Sequence, residues 1–253
     1  HHNSMSVSCK MLVIGHQLGP KGRIQNVQTQ KSPKRPIFEL IRTERVCFFF
    51  AELGAKVIKI ENKKAGGDVT RSWKLASEDE HHPFSAYYSS VNYGKESWFI
   101  DLKDPTDFNR VLDEIKTADV VIANFKPGDA QKLGLDFEQL KVLNNKLIYG
   151  EITGFGSENR IAYDVVLQAE SGFLAMSGTP EGELCKMPVA LIDLLAAHHL
   201  KEGLLLALLQ RQKELKALKV SVSLLDAATS SLANQATNWL MGKHVAQPMG
   251  TLH

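Results

Sequence analysis

Asp193 lies in "MPVALIDLLAAHH", between a short apolar, strand-like run and a longer apolar segment that reads as a helix. A carboxylate at such a junction can accept N–H groups left unpaired in a helix's first turn. The helix dipole also favours its ionised form. Held ionised in a mostly apolar setting, it is a usable nucleophile towards a thioester. The plain alternative, which local sequence alone favours, is an N-cap that does no chemistry.

Two further stretches carry groups that could bind an anion. "ENKKAGGDVTR" follows a strand ending at Glu61 and places Gly66, Gly67, Thr70 and Arg71 where phosphates sit in open α/β sheets. Arg71 offers planar, bidentate donors for phosphate. Lys95, Lys103 and Lys132 fall near other strand ends or turns, although any one lysine is more often solvated surface. "RIAYDVVLQAESG" sets Tyr163 and Asp164 just after the turn-like "GFGSEN", where Gly154 and Gly156 permit close backbone approach to a ligand. A loop packed under a helix explains that stretch equally well.

Several chemistries lack their signatures. The third glycine of a dinucleotide fingerprint is replaced by Asn159, and no GxxxxGK[ST] element occurs. There is no GxSxG elbow for a serine nucleophile. His198 and His199 are adjacent on a helix and diverge, while His81 and His82 precede Pro83 in a polar loop, so no metal is expected. His1 and His2 resemble the end of a purification tag. Cys9, Cys47 and Cys185 are odd in number and widely spaced, which implies no disulfide framework and suits a reducing cytoplasm. No apolar run approaches the ~20 residues that span a bilayer. A formal charge of +2 does not suit a nucleic-acid-coating protein.

The elements that must position these groups follow from periodicity. The chain has 253 residues, 43% hydrophobic and 23% charged, enough for a substantial core. Residues 1–37 lack periodicity and are expected to be irregular or poorly ordered. Strands are expected at Lys56–Glu61, Ser97–Leu102, Asp119–Asn124, Leu147–Thr153 and Lys219–Leu224. Helices are expected at Thr106–Lys116, with Pro105 at its start, and at Asp136–Val142. Asp193–Gln212 is expected to be a helix buried on most sides, and Asp226 to about Leu240 a single Ala-rich helix. Such alternation predicts an α/β fold: a mainly parallel sheet with helices on both faces.

Seven pieces in order resemble the class III CoA-transferases, the CaiB/BaiF group that includes formyl-CoA transferase. They are "AELGAKVIKIEN", "GGDVTR", "SWFIDLKDP", "DVVIANFKPGDAQKLGLDFEQL", "LIYGEITGFG", "YDVVLQAESG" and "VSLLDAATSSLANQA", spanning about Ala51 to Leu240. The resemblance implies a Rossmann-like large α/β CoA-binding domain over residues 38–240. Residues 241–253 would then begin a linker to an absent small domain, the chain being incomplete at its C-terminus. It implies a cytoplasmic homodimer, interlocked in full-length relatives, with coenzyme A and acyl-CoA as substrates, a carboxylic acid as acceptor, and no metal, membrane or nucleic-acid partner.

The resemblance further implies a mechanism in which an aspartate, matched here by Asp193, attacks the acyl-CoA thioester and proceeds through an aspartyl-CoA thioester. CoA contacts carry over to Ile100 and Lys103 in "FIDLKD" and to Lys132, more loosely to Arg71, and Tyr163 and Asp164 are expected to bind CoA as well. Asn62 stands where the family often has arginine, and "IFELIRTERVCFFF" lacks the usual "GP" turn. The racemase branch of the family uses a histidine where this chain has Tyr163. A tyrosine, with a reference pKa of about 10, is a poor general base near neutrality. Transferase is therefore preferred, with an acyl-CoA racemase or epimerase, or a truncated non-catalytic CoA-binding chain, as alternatives. An NAD-dependent dehydrogenase is a distant fourth.

Overall fold

β-branched residues in "KVIKIE" and "DVVIA" stiffen χ1 and suit an extended, covered backbone, and both runs form strands whose residues are nearly all buried. The computed structural model describes residues 37–40 and 44–250; most of the N-terminal segment expected to be irregular lies outside the described residues. In chain order the elements are β1 (Ile37–Leu40), α1 (Glu44–Glu52), β2 (Val57–Asn62), α2 (Ala86–Asn92), β3 (Lys95–Ile100), α3 (Pro105–Ile115), β4 (Val120–Ala123), α4 (Asp129–Leu133) and α5 (Phe137–Leu143). There follow β5 (Ile148–Thr153), α6 (Asp164–Glu170), α7 (Phe173–Met176), α8 (Leu191–Arg211), β6 (Leu218–Ser223), α9 (Leu224–Ser230) and α10 (Asn234–Gly242).

The sheet order is β3-β2-β1-β4-β5-β6, and the pairs β1–β2, β1–β4, β2–β3 and β4–β5 are parallel. The expected α/β class with a mainly parallel sheet is therefore the observed one. This order reverses direction between β1 and β4, and in such sheets ligands lie beyond the carboxyl ends of the strands. Local caps set the helix starts. Asp104 accepts from the N–H groups of Thr106 and Asp107, with Pro105 in the first turn of α3. Asp136 caps α5 in the same way.

The described residues divide into two compact units. One comprises those up to Glu151 together with Gly203–Val220, the other Ile152–Glu202 and those from Ser221. The first has its core in Ile58, Val111, Ile115, all four residues of β4, Ile148 and Leu204. Gly203 lets α8 approach β6, since a Cβ there would meet Val220 Cγ1 at 2.5 Å. The second unit buries Leu167, Ile192, Ala196, Leu200, Ala227 and Ala228.

Three expectations need correction. The helix expected to be buried on most sides buries one face, Ile192, Ala196, Ala197, Leu200, Leu204, Ala207 and Leu208, while Leu206 and Leu209 are 67% and 56% exposed. The helix expected from Asp226 to Leu240 is two, α9 and α10, broken where Ala233 adopts a φ of 51°. The run before Asp193 is not a strand.

Candidate active site

The first unit holds a cavity of about 850 Å³ at the carboxyl ends of β2, β3 and β4, within the size of small-molecule sites. Ile60, Ile100, Phe108 and Phe125 supply apolar wall, and Lys103 and Lys132 supply charge. Ile100 is buried at the end of β3, and the turn that follows is built by carboxylates. Asp107 accepts the N–H of Asp101, and Asp101 accepts that of Lys103. Lys64 pairs with Asp101 at 2.6 Å, which with the Lys103 N–H holds that carboxyl below its usual range. Lys132, on α4, is exposed and pairs with Asp129 at 3.0 Å. The sequence thus identified three lining residues, Ile100, Lys103 and Lys132, and passed over the acidic ones beside them.

Arg71 lies elsewhere. It is not among the cavity's lining residues, and its guanidinium forms a fork with Glu61, Nε to Oε2 and Nη2 to Oε1 each at 2.7 Å. It donates also to the Tyr88 hydroxyl and lies 4.0 Å over that ring. Glu61 is 3% exposed. Burial alone would push its carboxyl up, but hydrogen bonds from Arg71, Tyr88 and the Asp68 N–H outweigh that and hold it at about 2. Burial and the bond to Glu61 push the Tyr88 phenol up. Lys59, also buried, pairs with Asp68.

Gly67, at φ 101°, has no room for a side chain, since a Cβ would sit 2.6 Å from Glu61 Oε2. The glycine turn therefore wraps an internal carboxylate where the sequence suggested a phosphate. A signal was present: in β2, Lys59 and Glu61 alternate with isoleucines in a strand covered on both faces, and buried charges require partners.

The second unit holds the carboxylates. Asp193 is exposed and is the third residue of α8, so it is not the N-cap that the local sequence favoured. Ala190 occupies the cap position, its carbonyl accepting from Leu194. The carboxylate that satisfies the first turn is Asp164, whose Oδ1 accepts from Ile192 N at 2.7 Å and Asp193 N at 3.3 Å. Its Oδ2 accepts from Gln168 Nε2 at 2.5 Å, and Gln168 Oε1 accepts from Met187 N at 2.8 Å. Asp164 thus faces helix amides and a buried glutamine, and Tyr163 is the exposed backbone cap of α6.

The loop leading to α6 is fixed by close packing. A Cβ on Gly154 would lie 2.0 Å from Ala162 Cβ. Arg160 stacks 3.9 Å over Phe155 and pairs with Glu170. Among the described residues no three His, Cys, Asp or Glu side chains converge on a possible metal position. Nor, among them, is any helix long and apolar enough to cross a membrane.

The chain belongs to CoA-transferase family III, which residues 40–253 match. Among its relatives, the succinate–glutarate CoA-transferase of Agrobacterium fabrum is 39% identical over 210 residues, covering 80% of this chain and 52% of that protein. The succinyl-CoA:glutarate CoA-transferase of Mus musculus is 33% identical over 206 residues, covering 80% and 46%. A CaiB/BaiF family protein from Brucella suis superposes with a TM-score of 0.80 at 30% identity, over 100% of this chain and 61% of that one. The chain spans about half the length of the curated relatives it matches.

Proposed function

We propose that this chain is part of an acyl-CoA:carboxylate CoA-transferase in which Asp193 is the nucleophile and the cavity holding Ile100, Lys103 and Lys132 binds coenzyme A. The observation that carries the reading is the exposed carboxylate of Asp193 in the first turn of α8. Membership of the family and the names of the relatives support it. The dipole of a 21-residue helix favours an ionised carboxylate at its N-terminus, and an ionised carboxylate attacks a thioester carbonyl.

In the first half-reaction Asp193 adds to the donor's thioester carbonyl and expels CoA thiolate, leaving an acyl–aspartyl anhydride. The thiolate then attacks the aspartyl carbonyl, releases the donor acid and forms aspartyl-CoA. In the second half-reaction an acceptor carboxylate attacks aspartyl-CoA and expels the thiolate, which takes the acceptor's acyl group and restores Asp193. One thioester is broken and one made, and no net proton moves. Short dicarboxylic acids, the class named in several relatives, are the proposed donor and acceptor acids. The lysines would hold the phosphates of CoA by charge-assisted hydrogen bonds. Arg71 would act indirectly, by fixing the end of β2 that borders the cavity. A homodimer is the proposed assembly.

Hydroxylamine or borohydride trapping after incubation with succinyl-CoA, followed by peptide mass mapping, tests the reading. Modification is expected at Asp193 and lost in Asp193→Ala; undiminished trapping in that variant excludes the residue. Binding of CoA without any trapping supports the alternative of a CoA-binding chain that does not turn over. Exchange of the α-proton into deuterated water without an acceptor acid is the result that favours a racemase.

A further inference from the structure

The first turn of α8 lacks a cap of its own. Ala190 stands at the cap position with no side-chain acceptor, Pro188 precedes it, and the second and third amides of the helix belong to Ile192 and Asp193. These are the two N–H groups that a local Ser, Thr, Asp or Asn cap normally satisfies. Here one oxygen of Asp164, 28 residues upstream of Ile192, takes both. Its other oxygen is held by Gln168, which is 1% exposed and whose carbonyl oxygen accepts the Met187 N–H. Two side chains from one face of α6 thereby tie down both the segment entering α8 and the first turn of the helix.

We infer that Asp164 is a positioning residue for Asp193, acting through the helix backbone and making no contact with substrate. This rests on the reading of Asp193 as nucleophile. Fixing the amide of Asp193 fixes its Cα and the direction in which its side chain leaves the helix. A nucleophile displaced by about 1 Å loses rate on the order of a hundredfold. A neutral asparagine at position 164 retains one oxygen acceptor for the two amides, whereas alanine retains none.

Hydrogen exchange on the whole chain provides a test that needs no turnover. Asp164→Ala is expected to raise deuterium uptake in the peptide containing Ile192 and Asp193 while Leu204–Leu208 stay protected. Unchanged uptake at Ile192–Asp193 overturns the inference. Should alanine unfold the chain throughout, Asp164→Glu is compared in the same way, with the same local loss expected.

Trapping from succinyl-CoA supplies the kinetic arm. Asp164→Ala is expected to slow accumulation of the trapped enzyme at least tenfold with an unchanged half-saturating concentration, and Asp164→Asn to recover to within about threefold. A weaker half-saturation at unchanged rate assigns Asp164 to ligand contact and overturns the positioning role. So does an asparagine variant no better than alanine. If Asp193→Ala still traps, the nucleophile reading itself fails. If Asp193→Ala is silent while Asp164→Ala runs at the wild-type rate, only the positioning role fails. In a chain that traps nothing, the exchange result alone decides.

Discussion

Glu61 and Arg71 illustrate how a buried charge is retained. The pair is held by a two-pronged hydrogen bond, with Tyr88 closing one side. Removing one member of such a pair leaves the other uncompensated, at a typical cost of 3–5 kcal/mol. Glu61→Ala is expected to destabilise the chain by about 3 kcal/mol, measured by urea unfolding at neutral pH. Because the Glu61 carboxyl is held below its unfolded value of 4.5, at about 2, its contribution is complete above the unfolded value. It fades as pH falls from there through the folded value, and the variant should show less acid sensitivity in that window. At this scale the sequence was legible where a residue's neighbours in the chain are also its neighbours in space. Lys103 was noted in that way, near a strand end, whereas Ile100 came only through the family resemblance. The bonds from the amides of Ile192 and Asp193 to Asp164 were not legible, because no local pattern reports a cap that arrives from another helix.

The elements themselves were mostly readable from period and capping. β2, β4 and β5 lie within a residue or two of their expected limits, since β-branched runs bounded by turns leave little choice. The short α4 was missed, being five residues between two glycines of positive φ. The sequence shows no boundary between α9 and α10, because Ala233 carries no sign of the positive φ it adopts. The loop before α6 depends on a contact no pattern reveals, Gly154 against Ala162. Gly154→Ala should therefore displace that loop and lower thermal stability by roughly 1–3 kcal/mol, as overpacking does. Since Ala162 Cβ is the obstacle, adding Ala162→Gly should restore most of the loss in a double-mutant cycle followed by calorimetry.

For the molecule as a whole, a net charge of +2 gives no long-range pull on a polyanion. Under the proposed function, attraction of CoA would rest instead on lysines at the cavity, and is expected to weaken with salt as exposed charges do. Titration calorimetry with CoA should show Lys103→Ala about tenfold weaker, near 1.4 kcal/mol. Lys132→Ala is expected to lose less, since Asp129 already competes for that ammonium, and Asp129→Asn to bind CoA more tightly than the wild type. The parallel pairing was implied by strand–helix alternation, whereas the strand order was not, nor was the division into two units, which cuts through β5, β6 and α8 without any break in composition.

The buried face of α8 is made of Ile192, Ala196, Ala197, Leu200, Leu204, Ala207 and Leu208. At about 100° per residue these positions fill one broad sector of roughly 160° around the rod. Arg211 then clamps the far end through Asp119 and the Lys146 carbonyl. Within the unit that carries Asp193, the buried side chains of Ile192, Ala196 and Leu200 resist rotation of its turn about the helix axis, beside the carboxylate that holds the amides.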